Sequence, residues 1–162
     1  DPLIVQTKRN QDEIRRLIQD LVTDEEELLE TQVVEDFQVF SESKRTIKFI
    51  KQGSCTHANL DEKLLYSILS NLLSNAIKYS DPESTVYFTL ICEPDAVTFQ
   101  IRDEGIGIDI QEQQKLYDPF SRGKNAREIM GTGLGLAVVK KCLDLHKGEI
   151  YVDSKVGIGT TF

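Results

Sequence analysis

The sequence predicts an α/β protein, because segments with helical periodicity alternate along the chain with segments rich in β-branched and aromatic residues. Its 162 residues suit one compact domain with a hydrophobic core. Hydrophobic residues make up 40% of the chain and charged residues 28%, which is an ordinary composition for a soluble protein. The net charge of −8 argues against a protein that wraps nucleic acid, for which a basic surface is expected.

The N-terminal part of the chain predicts two helices. The first helix, over residues 5–30, has one apolar face, which suits packing on the domain or pairing with another helix. The members of that face are Ile14, Leu17, Ile18, Leu21 and Val22. A second helix is expected at Thr31–Ser43, followed by a short strand at Thr46–Ile50 and a polar loop over residues 51–59.

The clearest helix prediction covers Asp61–Tyr79, where leucine, isoleucine and alanine recur at helical spacing and Asp61 can cap the first turn. Thr85–Cys92 and Ala96–Asp103 predict a β-hairpin. A long loop that is functional or mobile comes next, with a short turn inside it, and then a helix and two strands. These segments are Gly105–Gly133 with its turn at Gln111–Leu116, Leu134–His146, Glu149–Asp153 and Thr160–Phe162.

The three cysteines, Cys55, Cys92 and Cys142, are far apart and odd in number, so we expect neither a disulfide framework nor a zinc site. A reducing compartment is the simpler interpretation. Cys92 and Cys142 lie in apolar periodic segments and are expected to be buried thiols. The sequence contains no apolar run of membrane-spanning length and no visible signal peptide.

The first of three chemical motifs lies on the Asp61–Tyr79 helix. Asn71, Asn75 and Lys78 are spaced i, i+4 and i+7, which puts them on one face beside the apolar stripe. An asparagine carbonyl is a hard neutral oxygen that suits Mg²⁺, and the lysine offers a point charge to phosphates. The alternative is a solvated polar face, but asparagine is a mediocre helix former with no local reason to recur.

The second motif follows the hairpin. Asp103 ends a strand and is followed by Gly105 and Gly107. A carboxylate in this position can accept a hydrogen bond from an exocyclic amine, and the glycines let the backbone approach a flat base. Taken alone, this motif is more typical of an ordinary turn from a strand into a loop.

The third motif is a run of glycines, Gly131-Thr132-Gly133-Leu134-Gly135-Leu136, ahead of the last predicted helix. Backbone N–H groups at a helix N-terminus form an anion site, and glycines let phosphates come close. The spacing matches neither a P-loop nor the dinucleotide GxGxxG pattern. A flexible hinge is the alternative, and both interpretations hold together if the loop is a lid. Two aromatics and three cations upstream suit such a lid: Tyr117, Phe120, Arg122, Lys124 and Arg127.

Together and in this order, the motifs resemble the ATP-binding catalytic domain of sensor histidine kinases. These proteins belong to the superfamily that includes DNA gyrase, the heat-shock chaperone ATPase and MutL. The resemblance covers residues 46–162 well and residues 5–30 more loosely. The matching segments are residues 71–80 (N-box), 103–108 (first glycine box), 117–123 (F-box), 131–136 (second glycine box), and 145–150 with 157–162 (closing strand signature).

The resemblance implies a two-layer α/β sandwich, with helices on one face of a mixed sheet. Residues 1–30 would be the second helix of the dimerisation and phosphoacceptor region, and residues 31–162 the ATP-binding domain with its last strand truncated. The short first strand that is customary after the dimerisation helices is not recognisable in the sequence.

The resemblance also implies ATP and Mg²⁺ as ligands. Asn75 would be the metal ligand, with Asn71 assisting. Lys78 and Tyr79 would contact phosphates or sugar.

The adenine amine would be held by Asp103, with Thr160 acting through water. Residues 109–131 would form the ATP lid, with Arg122 and the second glycine box at the terminal phosphates. The remaining implied contact residues are Gly105, Gly107, Gly131, Thr132, Gly133, Leu134 and Gly135.

Gyrase-like members carry a glutamate that activates water at the position of Asn71, and an amide is a poor general base. This difference favours phosphoryl transfer to a protein nucleophile over ATP hydrolysis. His57 lies in a polar loop, and His146 lies in the closing signature, where a structural role is expected, so neither is the expected acceptor.

The sequence is therefore identified as the catalytic part of a protein-histidine kinase. It would phosphorylate a histidine on a helix outside this sequence, in the same or a sister subunit. The implied parent is a homodimer that passes the phosphoryl group to a response regulator. Its catalytic part would work in the cytoplasm, with membrane attachment through other regions of the parent left open. A serine kinase or anti-sigma factor of the same superfamily is one alternative, and a non-catalytic nucleotide-binding adaptor is another.

Overall fold

The computed structural model describes residues 33–38, 46–53, 61–120 and 135–162. In these ranges the helices are α1 (Glu62–Tyr79), α2 (Ile110–Gln113) and α3 (Gly135–His146). The strands are β1 (Val33–Gln38), β2 (Thr46–Gln52), β3 (Thr85–Cys92), β4 (Val97–Asp103), β5 (Asp153–Lys155) and β6 (Gly159–Thr161). The helix predicted over residues 5–30 lies outside the described residues.

The strands form one mixed sheet in the order β1-β2-β3-β4-β6-β5. Strands β2 and β3 are parallel, and α1 connects them, as a parallel pair requires. The other neighbouring pairs are antiparallel. Helix α1 packs against α3 and against β4, so the described part of the chain confirms the expected α/β sandwich with a mixed sheet.

The core lies between α1 and the sheet. The apolar stripe of α1 is buried as its helical spacing predicts, and Leu69 and Leu73 are completely inaccessible to solvent. Opposite them, Phe88 of β3 is also fully buried and contacts Phe49 of β2, with ring centroids 5.3 Å apart. On β4, burial alternates with the strand period, so that Ile101 is buried on the helix-facing side.

The predicted helix at Thr31–Ser43 is wrong, because residues 33–38 form β1. This strand pairs antiparallel with β2, with Val34 opposite Ile50 and Phe37 opposite Ile47. The free edge of β2 pairs with the backbone of this segment, so the extended state is set by the neighbouring strand. The structure thus contains the short first strand that the sequence did not reveal.

The boundaries of the other predicted helices and strands differ less from those in the structure. Helix α1 and the β3–β4 hairpin agree with the prediction to within one residue at each end. The strand expected at Glu149–Asp153 is displaced to Asp153–Lys155, since only this segment lies opposite β6. Pairing with β4 continues past β6, because Phe162 and Ile101 exchange two backbone hydrogen bonds of 2.8 and 2.9 Å.

The cysteines need one correction. Cys142 is a free, buried thiol in α3, as predicted. Cys92 at the end of β3 is disulfide-bonded, so the prediction of a free thiol is wrong there. Sequence separation gave no signal of this bond, since proximity of two cysteines depends on the tertiary fold. In the described ranges, no helix combines the length and the apolar character needed to cross a bilayer.

Candidate functional site

Helix α1 positions the first group of predicted site residues. Asp61 fixes the start of the helix, because its carboxylate Oδ1 accepts a hydrogen bond of 3.0 Å from the Leu64 N–H. With the leucine stripe turned into the core, Asn71 and Asn75 are half-buried and Lys78 is exposed. Their spacing of four residues puts the two amides one above the other on the helix surface.

The orientation of the Asn71 amide is set within the helix. Its Nδ2 donates a hydrogen bond of 2.7 Å to the Ser67 carbonyl, so its Oδ1 is directed away from that carbonyl. A Cβ atom at Gly135 would lie 3.2 Å from Asn71 Oδ1 and 3.9 Å from Asn75 Nδ2. The first residue of α3 therefore lies against both amides, and its lack of a side chain keeps the Asn71 oxygen uncrowded.

A buried carboxylate lies at the end of β4. Asp103 is 8% exposed on the helix-facing side of the sheet, and its Oδ1 accepts a hydrogen bond of 2.9 Å from the Gly105 N–H. Burial raises the pKa of Asp103 above its ordinary value, while hydrogen bonds from the Gly105 and Thr160 N–H groups act in the opposite direction. Such a group is a strong and precisely held hydrogen-bond acceptor.

The first glycine motif joins three parts of the fold. A Cβ atom at Gly105 would lie 2.3 Å from the Tyr79 carbonyl oxygen, so only glycine fits beside the end of α1. Gly107 has a φ of 72°, and a Cβ atom there would lie 2.1 Å from the Lys155 carbonyl oxygen. Between these glycines, the Ile106 N–H donates to the Tyr79 carbonyl at 3.1 Å.

The last two residues of α1 also lie at this junction. The Lys78 ammonium is 5.7 Å from the centroid of the Tyr79 ring, within the range of a cation–π contact. Because Tyr79 also accepts the backbone hydrogen bond from Ile106, the end of α1 and the first glycine motif are held together. The backbone of Tyr79 therefore lies beside the turn that Asp103 begins.

Ser154 lies next to the site, and no motif in the sequence pointed to it. This residue of β5 lies opposite Thr160 of β6, and their hydroxyl oxygens are 2.7 Å apart. Ser154 Oγ also accepts a hydrogen bond of 2.8 Å from the Ile108 N–H. Thr160 in turn lies opposite Asp103 in the ladder between β4 and β6. A tight turn between two short strands at residues 156–158 is the signal that would have paired Ser154 with Thr160.

Of the two histidines, His146 lies in the described part of the chain and His57 does not. His146, expected to be structural, is the last residue of α3, and its Nε2 accepts a hydrogen bond of 3.0 Å from the Asp61 N–H. This bond gives His146 a structural contact between two helices. His57 lies outside the described residues.

The described part of the site falls into two groups. Asn71, Asn75 and Gly135 meet between α1 and α3. Asp103, Gly105 and Thr160 meet where β4, β6 and the end of α1 converge. The other predicted phosphate and lid residues lie outside the described residues: Arg122, Gly131, Thr132, Gly133 and Leu134. The same applies to Lys124 and Arg127 of the predicted lid.

Comparison with known proteins gives a family match. Residues 60–162 match the model of the histidine kinase-, DNA gyrase B- and HSP90-like ATPases. The chain is 45% identical over 104 residues to the circadian input-output histidine kinase CikA of Synechococcus elongatus. That alignment covers 63% of this chain and 14% of CikA. The chain is 38% identical over 116 residues to the sensor histidine kinase RcsC of Salmonella typhimurium, covering 70% of this chain and 12% of RcsC.

Solved structures agree with these relatives. A mycobacterial sensor histidine kinase, MprB, superposes with a TM-score of 0.62 at 25% identity, covering 98% of this chain and 91% of that one. The catalytic domain of the histidine kinase ThkA superposes with a TM-score of 0.53 at 27% identity, covering 63% and 64%. The chain belongs to the family of histidine kinase-, DNA gyrase B- and HSP90-like ATPases, and it carries the ATP-binding catalytic domain of sensor histidine kinases.

Proposed function

We propose that this domain binds Mg-ATP and transfers the γ-phosphoryl group to a histidine on a helix outside the domain. The observation that carries the proposal is the contact of Asn71 and Asn75 with the start of α3. Amide oxygens and a glycine-rich helix start at one place suit a metal ion bridged to phosphates.

The amides fit Mg²⁺ by their chemistry. Asn75 is the proposed metal ligand, and Asn71 assists through its Oδ1, since its Nδ2 is engaged with Ser67. In the described ranges, no group of three or more His, Cys, Asp or Glu residues could hold a metal ion by itself. A metal at this site would therefore take its other ligands from phosphates and water, as Mg²⁺ does. When bound, it would neutralise charge on the phosphate oxygens.

The adenine end of the proposed site is the group around Asp103. Its carboxylate would accept a hydrogen bond from the exocyclic amine, with Thr160 beside it. Gly105 and Gly107 pack the turn after Asp103 against the Tyr79 and Lys155 carbonyls, since neither position has room for a side chain, and this turn would lie beside the base. Exclusion of water from this buried corner would strengthen the hydrogen bonds to the base.

The phosphate end would be closed by residues of the lid. Lys78 and Tyr79 at the end of α1 are proposed to contact phosphates or sugar. Arg122 and the glycine motif, from Gly131 and Thr132 through Gly133 and Leu134 to Gly135, are proposed to meet the terminal phosphates. Glycines at the end of the segment would let it close over the nucleotide.

Transfer to an imidazole is favoured over hydrolysis by the identity of Asn71. An amide takes up no proton at neutral pH, so it would not activate a water molecule by general-base catalysis. In the proposed step, an imidazole nitrogen of the acceptor forms a bond to the γ-phosphorus as the bond to the bridging oxygen breaks. ADP leaves, and the imidazole loses its proton to solvent. Positioning and charge neutralisation are the main contributions of the domain.

The chain spans 14% and 12% of the length of the two curated relatives named above. The acceptor, the partners and the location of the whole protein are therefore proposed by analogy with them. Residues 1–30 would be the second helix of the dimerisation and phosphoacceptor region, and residues 31–162 the ATP-binding domain. The acceptor helix would come from the same or a sister subunit of a homodimer. The proposed parent acts in the cytoplasm and donates to the receiver domain of a response regulator.

Calorimetric titration with ATP tests the nucleotide site. We expect Mg²⁺-dependent binding to the wild-type chain and at least about tenfold weaker binding to Asn75→Ala, the equivalent of about 1.4 kcal/mol. Ser74→Ala is the matched control, because Ser74 is an exposed neighbour on α1 and should leave affinity unchanged. Equal binding by all three proteins would contradict the metal assignment.

Transfer is tested separately by adding an acceptor-helix fragment and radiolabelled ATP. An acid-labile phosphoprotein is expected, because phosphohistidine hydrolyses in acid. An acid-stable product would indicate a serine kinase of the same superfamily. Nucleotide binding with persistent failure of transfer would favour a non-catalytic adaptor.

A further inference from the structure

The Ser154 hydroxyl lies at the centre of a small network next to the proposed adenine corner. Its Oγ is 2.8 Å from the Ile108 nitrogen, 2.7 Å from Thr160 Oγ1 and 3.1 Å from the Gly159 carbonyl oxygen. Backbone amides can only donate and carbonyls can only accept, whereas a hydroxyl has one proton and two lone pairs. These limits restrict how the network can be arranged.

Two arrangements satisfy the chemistry of Ser154. In the first, Ser154 accepts from both Ile108 and Thr160 and donates its proton to the Gly159 carbonyl. In the second, Ser154 donates to Thr160 and makes no hydrogen bond to Gly159. The first uses both lone pairs and the proton, so it makes all three hydrogen bonds that the distances allow.

The first arrangement fixes the direction of the Thr160 hydroxyl. Its proton is directed to Ser154, so Thr160 Oγ1 has only lone pairs left for a ligand. Asp103 lies directly opposite Thr160 in the ladder and is also an acceptor, and both residues are at least nine-tenths buried. Side chains of directly opposite residues share one face of a sheet, so two acceptors lie side by side.

We propose that Ser154 is a positioning residue that holds Thr160 as a hydrogen-bond acceptor and thereby makes the site select a 6-amino purine over a 6-oxo purine. An exocyclic amine has two protons, which match two acceptors. The 6-oxo group of inosine or guanine is an acceptor and would face like partners without a proton between them. This inference rests on the proposed binding of ATP and deepens it.

The backbone around Ser154 supports this role by holding the residue in place. Gln113 Nε2 donates to the Ser154 carbonyl at 3.2 Å and to the Ile108 carbonyl at 3.1 Å. The side chain of Gln113 therefore connects α2 to β5 and to the first glycine motif. Because the backbone holds Ser154 in place, its hydroxyl group points in a defined direction. The site needs this defined direction to distinguish a ligand that donates a hydrogen bond from one that accepts.

The test compares the dissociation constants of Mg-ATP and Mg-ITP, which differ in the 6-substituent of the purine and in the proton that hypoxanthine carries on N1. In Ser154→Ala, the Thr160 hydroxyl has lost its acceptor at residue 154 and can donate a hydrogen bond to the 6-oxo group. We expect the preference for ATP over ITP to narrow by about tenfold, the equivalent of one hydrogen bond. Ser154→Thr retains the hydroxyl and should keep the wild-type preference. Ser154→Cys keeps the side-chain size with weak hydrogen bonding and should narrow the preference as alanine does.

A double-mutant cycle identifies the route of the effect. If Ser154 acts through Thr160, then adding Ser154→Ala to Thr160→Val should leave the ATP-to-ITP ratio unchanged. A purely structural role of Ser154 would weaken the binding of both nucleotides equally and leave the ATP-to-ITP ratio of Ser154→Ala and Ser154→Cys at the wild-type value, which would overturn the inference. If the wild-type chain binds neither nucleotide, the proposed function itself fails, so the two failures are distinguishable.

Discussion

The imidazole Nε2 of His146 accepts a hydrogen bond of 3.0 Å from the backbone N–H of Asp61, across 85 positions of sequence. This bond joins the last residue of α3 to the N-cap of α1. The start of α3 contacts α1 again at Asn71, so the two helices are connected near both ends of α3. A nitrogen that accepts in this way carries no proton, so the bond needs neutral imidazole.

Replacing His146 by alanine should therefore destabilise the domain by about 1 kcal/mol, the usual net value of one hydrogen bond. The measurement is the midpoint of urea unfolding, converted to free energy with the slope of the transition. Lys141→Ala is the control, because Lys141 is exposed on the same helix. If both variants unfold alike, the connection contributes nothing to stability.

Replacing Lys147 by glycine should stabilise the domain by about 0.5–1 kcal/mol. Lys147 has a φ of 60°, and it lies in a helix-ending motif in which the Gly148 N–H donates to the Leu143 carbonyl at 2.8 Å. Glycine adopts this left-handed conformation without strain. Lys141→Gly, inside the same helix, should instead destabilise by about 1 kcal/mol. Thermal unfolding of both variants gives opposite signs if the motif acts as described.

Two glycines with similar backbone angles should respond differently to alanine. Gly107 has a φ of 72° and no room for a side chain, whereas Gly157 has a φ of 79° and nothing within 4 Å of its Cβ position. Gly157→Ala should cost only the left-handed strain, about 1 kcal/mol. Gly107→Ala should cost clearly more, because the Lys155 carbonyl must also move. Equal unfolding midpoints for the two variants would contradict the close packing of the first glycine motif.

Gly135→Ala should weaken ATP binding without lowering the stability of the domain. Alanine in a helix is favoured over glycine by about 1 kcal/mol, so the melting temperature should not fall. The added methyl group would lie 3.2 Å from Asn71 Oδ1, whose amide is held by Ser67. We expect weaker Mg²⁺-dependent ATP binding, measured by calorimetry. A variant that loses stability while keeping affinity would contradict this arrangement of α1 and α3.

The buried carboxylate predicts a pH dependence. Because the pKa of Asp103 is raised by burial, the folded state holds this proton at pH values where the unfolded chain has lost it. The contribution of Asp103 to stability is thus fully present below the unfolded pKa of about 3.9 and is lost as the pH rises through the folded pKa. Asp103→Asn should therefore gain stability relative to wild type as the pH rises from the unfolded pKa of about 3.9 through the folded pKa.

The control for this experiment is built into the comparison, since the two proteins differ in no other ionisable group. Unfolding free energies of the two proteins are measured by urea denaturation at each pH. A constant difference across that range would show that burial of the carboxylate has no energetic consequence. The same variant should lose ATP affinity, because the amide presents one acceptor oxygen in place of two.

The sequence was sufficient for elements whose pattern is local. Helix α1 and the β3–β4 hairpin were predicted nearly to the residue, because a continuous stripe or a clear alternation identifies each one alone. Strand β1 was predicted as a helix, because its extended state depends on the free edge of β2 and not on its own six residues. The position of β5 was likewise decided by its partner, since only residues opposite β6 complete a ladder.

The candidate site shows the same division. The motifs around Asn71 and Asp103 were recognisable because their order along the chain is specific. Ser154 was missed, since an isolated serine has no pattern until the fold puts it opposite Thr160. The disulfide at Cys92 was missed for the same reason, as proximity across a fold leaves no mark in sequence spacing.

Ile106 has a consequence for how the domain opens. Its N–H is bonded to Tyr79 at the end of α1, and its carbonyl accepts from the Gly157 N–H at 2.9 Å, in the turn between β5 and β6. One residue thus connects the longest helix of the described structure to a hairpin whose strands are three residues each. Such a short hairpin is marginal alone, and this contact is expected to couple its opening to that of the first glycine motif. Amide protons of β5 and β6 should therefore exchange as one cooperative unit with those of the turn after β4, and nucleotide binding at that turn should slow both together.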